Sequence, residues 1–204
     1  MKSLFALLGC VALLANASGQ GNIHFGNTPI TLISANGAPM PVSGTQQFIF
    51  AIFLAPSTTV SSTNVQASYS DPIWQNLGGY TTNHASVSGR IITRLSLDVG
   101  TPTGYSSGST VDFIIRGWSA NAGATWNEAL TTWNNGSPLV PMFIGSSTIG
   151  NDMVLSNPIV TPIPFGSSAD QVQGFNMILV PEPSTLALAG FGLAAMWWLR
   201  RRSH

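Results

Sequence analysis

The chain has 204 residues, which is enough for one ordinary domain with short appendages. Only 7% of its residues are charged, whereas 44% are apolar. Nucleic-acid binding is disfavoured because phosphate recognition needs clustered Lys and Arg, and the only cationic cluster, Arg200–Arg202, follows an apolar run. The 21 glycines, 13 prolines and many uncharged polar residues favour short strands and turns in an extracellular protein.

The N-terminal end has the order of a secretory signal peptide. Lys2 gives the positive start, Leu4–Leu14 the apolar core, and Ala15–Ala17 a small-residue cleavage site, so we expect a signal at residues 1–17 and a mature chain from about Ser18. Eleven apolar residues reach only ~16 Å as a helix, too short for a hydrocarbon core of about 30 Å. The only cysteine, Cys10, lies inside this apolar core, which disfavours a lipid-attachment site and predicts a mature domain without disulfides.

The C-terminal end, residues 181–204, combines a short motif, an apolar run and a basic stop. The run Leu186–Leu199 reaches only ~22 Å as a helix, but interfacial tryptophans and snorkelling arginines favour its use as a transmembrane stop. The motif residues are Pro181, Glu182, Pro183, Ser184 and Thr185, and the residues of the membrane stop are Trp197, Trp198, Arg200, Arg201 and Arg202.

This C-terminal segment resembles the PEP-CTERM sorting signal of Gram-negative bacteria. The resemblance implies recognition by an exosortase membrane protease after passage through the export machinery, with the tail removed once it has held the protein briefly at the inner membrane. It also implies a location at the cell surface or in an exopolysaccharide (biofilm) matrix. Proteins there are often glycosylated, and the segment Ser57–Ser70 is either an acceptor region or an ordinary surface loop. A permanent tail anchor is the alternative interpretation.

The middle, residues 18–180, is predicted to be one all-β domain, a β-sandwich of jelly-roll or immunoglobulin-like type with one short helix. Gln47–Leu54 is apolar at every alternation and predicts a strand buried on both faces. Weaker patterns predict strands at Asn22–Phe25, Val65–Tyr69, Val140–Ile144, Met153–Val160 and Gly174–Leu179.

Two further segments, Arg90–Val99 and Val111–Trp118, alternate between apolar and polar residues as half-buried strands do, and we expect them to be neighbours. In the first, the inward side chains are predicted to be Ile91, Thr93, Leu95 and Leu97, opposite Arg90, Arg94, Ser96 and Asp98. In the second, Val111, Phe113 and Ile115 are predicted to face inward, and Asp112 and Arg116 outward.

The helix is predicted after Thr125, which forms a capping-box pattern with Glu128, and it should end at Asn135-Gly136. Trp126, Leu130 and Trp133 then share one face that packs on the sheet.

The sequence contains no convincing catalytic, metal-binding or cofactor-binding set, and we expect none. Gly104–Gly108 matches Gly-x-Ser-x-Gly around Ser106, but its flanks are turn-like and the only downstream histidine is His204. His24 and His84 have no metal-ligand spacing, and the acidic residues are scattered without a calcium-loop pattern. A carboxylate pair that converges only in space would escape this search.

Three functions are consistent with these observations. The first is a non-catalytic surface or matrix protein, the second a carbohydrate-binding module, and the third a secreted hydrolase of matrix polymers. Carbohydrate stacking would use Trp74, Tyr80 or Trp118, although aromatic residues of this size are also ordinary core residues. Between the signal and the motif, three arginines stand against six acidic residues, which disfavours electrostatic adhesion to anionic polymers.

Overall fold

The structure is a computed structural model that describes residues 21–57, 68–98, 104–135, 141–156, 161–180 and 200. The predicted signal peptide, sorting motif and tail helix lie outside these ranges, apart from Arg200. None of the described helices has the length and apolar character needed to cross a membrane. In chain order, the described elements are β1 (Asn22–Phe25), β2 (Ser34–Ala35), β3 (Ala38–Pro39), β4 (Phe48–Pro56), β5 (Gln75–Thr82), β6 (Arg94–Asp98), β7 (Thr110–Ser119), α1 (Trp126–Asn134), β8 (Met142–Ser146), β9 (Gly150–Val154) and β10 (Asn176–Val180).

Two long strands, β4 and β7, form the centre of the larger sheet. They pair antiparallel along their whole length, from Phe48 opposite Ser119 to Pro56 opposite Val111. The order across this sheet is β3-β2-β10-β8-β7-β4-β5, and β9 follows β8 along the same edge of β7. A separate sheet consists of β1 and β6, paired antiparallel.

Both faces of the larger sheet are covered. On one face, Phe50 of β4 belongs to an apolar cluster with Phe25 of β1 and Leu97 of β6, so the small sheet packs over this side. On the other face, Phe53 of β4 packs with Trp126 and Ala129 of α1. The predicted burial of β4 on both faces is therefore confirmed, as is the all-β class with one short helix.

The predicted helix is present as α1, with the predicted cap. Glu128 N donates to Thr125 Oγ1, and the Glu128 carboxylate accepts from the Thr125 backbone N–H. Trp126 is buried, and Leu130 and Trp133 pack partly buried against the same face of the sheet. The helix α1 connects β7 to β8, and its apolar side packs on the face of the sheet formed by β4, β7 and β8.

The expected outward orientation of Asp112 and Arg116 is wrong, because each residue is only 1% exposed. Both side chains lie on the face of β7 that carries Ile114 and Trp118, and α1 with its aromatic residues covers that face. A strand in a sheet covered on both sides has no solvated face, even where its sequence alternates.

The predictions for Arg90–Val99 hold only in part. The strand β6 begins at Arg94, and its partner is β1, so β6 and β7 are not paired neighbours. Leu97 is buried directly over Gly79 of β5, but Leu95 is 70% exposed, because the register with β1 shifts between Ile23 and Phe25 and the inward alternation is interrupted there.

The remaining predicted strands differ from the observed strands mainly in where they begin and end. Asn22–Phe25 is β1, and β8, β9 and β10 overlap the segments predicted at Val140–Ile144, Met153–Val160 and Gly174–Leu179. Most of Val65–Tyr69 lies outside the described residues, and its described part is not a strand. β5 was not predicted, since Asn76, Gly78 and Gly79 are poor strand formers.

Candidate functional site

Six aromatic side chains form a continuous cluster on the helix-facing side of the larger sheet. Their rings meet edge to face, with centroids 5.5 to 5.8 Å apart, which is the favoured geometry for aromatic pairs. The cluster runs from Tyr80 on β5 through Trp118 on β7 to α1, and its members are Phe53, Tyr69, Tyr80, Trp118, Trp126 and Trp133.

Arg116 is buried inside this aromatic cluster. Its guanidinium carbon lies 4.5 Å from the Phe53 ring centroid and 4.7 Å from that of Trp126, and Nη2 donates to the Ser68 carbonyl at 2.8 Å. Burial lowers the pKa of Arg116 to about 10, although Asp71 and Tyr69 oppose this shift. The arginine is therefore charged at neutral pH and held by two ring faces.

An open groove of about 460 Å³ lies at the Tyr80 end of the cluster. One wall is the end of β5, and the other is the segment that leads into β6. One aromatic ring, two isoleucine side chains, several neutral hydrogen-bonding groups and one guanidinium face the groove. The lining residues are Gln47, Ile49, Tyr80, Thr81, Thr82, Ile92, Thr93, Arg94 and Ala124.

A second open groove, of about 440 Å³, adjoins the first and shares Ile92 and Thr93 with it. Its lining includes His84 and Arg90. Arg90 and Arg94 thus both line this pair of grooves, while Arg116, the other arginine between residues 18 and 180, is buried. Among the residues that the structure describes, no carboxylate lines either groove. This surface is therefore locally positive on a domain that carries more acidic than basic residues.

Two buried asparagines hold the walls of the grooves in place. Asn83 Oδ1 accepts from Phe48 N at 2.9 Å, and its Nδ2 donates to the carbonyls of Pro41 and Gln46 at 2.7 and 2.8 Å. Asn27 Oδ1 accepts from Ile91 N at 2.9 Å, and its Nδ2 donates to the Gly89 carbonyl at 2.7 Å. Apart from Phe48 N, which begins β4, the backbone groups in these bonds lie in loops or isolated bridges, so the two side chains help to fix the shape of the grooves where strand pairing is irregular.

The three aromatic residues predicted for carbohydrate stacking lie in one apolar cluster, but they differ in accessibility. Trp118 is completely buried, and its Nε1 donates to the Gly123 carbonyl at 2.9 Å. Trp74 is 6% exposed. Tyr80 is partly exposed, lines the first groove and accepts a hydrogen bond from Asn76. Of the three, only Tyr80 has a surface that a ligand in the groove could contact. The two tryptophans are buried and pack as core residues.

The other sequence candidates do not come together. Ser106 lies in an exposed turn before β7, where its hydroxyl is 3.4 Å from that of Ser109. His24 lies on β1, and the His84 ring accepts from Ser86 N in a loop. Within the described ranges, no three His, Cys, Asp or Glu side chains are grouped as metal ligands.

Sequence reasoning missed the groove residues Arg90, Thr93 and Arg94. They were assigned to one regular strand, whereas β6 begins only at Arg94 and the preceding residues form a loop against β5. One feature of the sequence could have pointed to this surface, namely the spacing of its positive charges. Arg90 and Arg94 are four residues apart in a domain that has three arginines.

Residues 179–203 match the family model described as the PEP-CTERM protein-sorting motif. The predicted resemblance of the C-terminal segment is thereby confirmed. The match supports export, processing by an exosortase membrane protease and delivery of the protein to the surface. No curated protein and no solved structure matches the chain.

Proposed function

We propose that this protein is a non-catalytic component of the cell surface or of an exopolysaccharide matrix, delivered there through its C-terminal Pro-Glu-Pro signal. The match at residues 179–203 carries the delivery half of the proposal. The signal peptide predicted at residues 1–17 agrees with it, since a sorted protein must first be exported.

The non-catalytic half is supported by the chemistry of the described surface. The two grooves are lined by hydroxyl, amide, guanidinium and apolar groups without a carboxylate that could serve as acid, base or nucleophile. Asp112, which does have an acidic neighbour in Asp152, is 1% exposed and so is closed to a polymer substrate. Ser106 lies in an exposed turn rather than between a strand and a helix.

The delivery proposal is tested by the intact mass of the protein released by its native host, with both termini mapped. We expect a start near Ser18 and an end near Pro181–Pro183, with added sugar mass if the Ser57–Ser70 segment is glycosylated. Recovery in the membrane fraction with Leu186–His204 still attached would make the tail a permanent anchor and would overturn the proposal.

Matched variants sharpen this test. Glu182→Gln removes the negative charge of the motif. If the protease recognises this carboxylate, the tail of the variant should remain uncleaved. Asp170→Asn makes the same change at an exposed acid before the motif and should be processed normally. Turnover by the released protein on a panel of glycans and esters would contradict the non-catalytic assignment and favour the hydrolase.

A second function, carbohydrate binding, is favoured by the first groove. Tyr80 contributes an aromatic surface, and Thr82, Thr93 and Gln47 contribute the neutral hydrogen-bonding groups that recognise sugar hydroxyls. Arg94 in this groove and Arg90 in the adjoining one favour a glycan that carries carboxylates, such as a uronic-acid polymer, over a neutral one.

Affinity electrophoresis in gels containing acidic or neutral polysaccharides tests this second function. The acidic polymer should retard the protein, and Arg94→Gln should reduce the retardation without changing the melting temperature, because Arg94 is exposed. Tyr80→Ala should also reduce it, whereas Tyr105→Ala, which alters a tyrosine outside the groove, should not. Equal mobility in all gels would reject carbohydrate binding and leave the delivery proposal intact.

A further inference from the structure

A β-bulge places two residues of β9, both with oxygen-bearing side chains, opposite Asp112 of β7. Val111 lies opposite Met153, and Phe113 lies opposite Gly150, so Asn151 and Asp152 share the position opposite Asp112. Asp152 has a φ of 52°, in the left-handed region that Asp and Asn tolerate better than most residues. Bulges of this kind often redirect side chains towards a functional position.

Two oxygen atoms at this bulge are buried without a hydrogen-bond donor. Asp112 Oδ1 accepts from Asp152 N at 3.1 Å, but Asp112 Oδ2 has no partner although the residue is only 1% exposed. Asn151 Oδ1 is likewise buried and unpartnered. Buried polar atoms in proteins are nearly always satisfied, so two such acceptors on adjoining strands call for a cation or a hydrogen-bond donor from outside the chain.

The described protein supplies no cation to these oxygens. The only lysine of the chain is Lys2, and the nearest arginine along β7, Arg116, is engaged with the Ser68 carbonyl and two aromatic rings. Burial and the carboxylate of Asp152 raise the pKa of Asp112, against the opposing effect of the Asp152 N–H. The carboxylate of Asp152 is on an exposed residue, which leaves one side of the bulge open to solvent.

We propose that Asp112, Asn151 and Asp152 bind a calcium ion at the β7–β9 bulge. Ca²⁺ takes carboxylate and amide carbonyl oxygens in irregular geometry, and water can complete its coordination from the open side. Mg²⁺ fits less well, because it requires near-ideal octahedral geometry and gives up its water reluctantly. With two carboxylates and one amide, the affinity should fall in the range of about 10⁻⁴–10⁻³ M that is typical of extracellular modules.

A bound calcium ion would cross-link two strands of the larger sheet. The ion would tie the β9 bulge to β7 next to the centre of the larger sheet, and it would bind only the folded chain, because Asp112 and Asp152 are forty residues apart in sequence. Calcium should therefore raise the melting temperature by a few degrees at concentrations well above the dissociation constant.

The test uses the exported protein from its host, stripped with EDTA and titrated with CaCl₂ by calorimetry and thermal melting. We expect one Ca²⁺ per chain and a rise in melting temperature that MgCl₂ at the same concentration does not reproduce. The absence of heat and of a melting shift up to about 10 mM Ca²⁺, tenfold beyond the weakest extracellular sites, would overturn the proposal. An equal response to Mg²⁺ would also overturn the assignment to calcium.

Three substitutions locate the site. Asp112→Asn keeps the shape of the side chain, removes its charge and should weaken calcium binding at least tenfold; Asp152→Asn should do the same from an exposed position where folding is not at risk. Asp170→Asn removes an exposed acid elsewhere and should bind like the wild type. Undiminished calcium binding in Asp152→Asn, or in a folded Asp112→Asn, would show that the ion binds at another place and would reject the site.

Discussion

The guanidinium carbon of Arg116 lies 4.7 Å from the centre of the Trp126 ring, and so a charged side chain on the central strand β7 joins the sheet to helix α1. The Phe53 ring, which meets Trp126 edge to face, is also close to this carbon, with its centroid at 4.5 Å. The register places Ala51 opposite Arg116, and this small side chain leaves room for the guanidinium beside the two rings. The contact is a structural one, buried in the aromatic cluster that reaches Tyr80 through Trp118.

Replacing Arg116 by Lys should destabilise the protein by about 1–3 kcal/mol, because an ammonium is more strongly hydrated and lacks the planar, delocalised charge that contacts the two rings. The free energy of unfolding from urea denaturation measures the loss. Arg94→Lys is the control, since Arg94 is exposed and its replacement should leave the curve unchanged. Equal losses in the two variants would contradict the stacking role of Arg116.

Tyr69 should make stability depend on pH in the alkaline range. Burial raises its pKa above the ordinary value of 10.0, although the charge of Arg116 acts in the opposite direction. Below that value both folded and unfolded chains keep the phenol proton, and above it the unfolded chain loses the proton first. The folded state is therefore progressively disfavoured as pH rises through and beyond the ordinary value.

Comparison with Tyr69→Phe separates this effect from alkaline titrations other than that of Arg116, whose charge is coupled to the Tyr69 phenol. The free energy of unfolding of the wild type minus that of the variant should fall as pH rises from about 9 to about 11. A difference that stays constant over this range would mean that the phenol is not buried as described.

Asn83→Ala should destabilise the protein by about 2–4 kcal/mol, since it removes three hydrogen bonds and leaves Phe48 N without its acceptor. The groove walls depend on the same bonds, so glycan retardation should weaken together with stability. Asn121→Ala, at an exposed residue that donates to the Pro141 carbonyl, should have a much smaller effect on the melting temperature.

Gly174→Ala should severely impair folding. A Cβ at this position would stand 1.8 Å from the Leu32 carbonyl oxygen, and that backbone atom can move only if the loop around it moves. The matched change Gly44→Ala meets no atom within 4 Å and should be nearly neutral. Soluble yield and melting temperature of the two variants give the comparison; similar values would contradict the close approach at Gly174.

Short-range patterns predicted several elements correctly because their causes are local. Thr125 and Glu128 form the predicted capping box, since a cap depends on backbone groups within one helical turn. The continuous apolar run in β4 implies burial on both faces wherever the strand is placed. Arg116 is different: its alternation with apolar neighbours predicted exposure, and only the packing of α1 over β7 buried it.

The sequence by itself determined the C-terminal sorting motif, the all-β class and the position of the helix, because sorting motifs, apolar periodicity and caps are properties of neighbouring residues. Tertiary structure decided which surfaces can bind. It buried Trp118 and left Tyr80 at a groove, it placed Arg90 and Arg94 along one surface, and it joined Asp112 to Asp152 through a bulge. These relationships connect residues far apart in the chain, and they follow from strand pairing and from the covering of each sheet face, which no local pattern encodes.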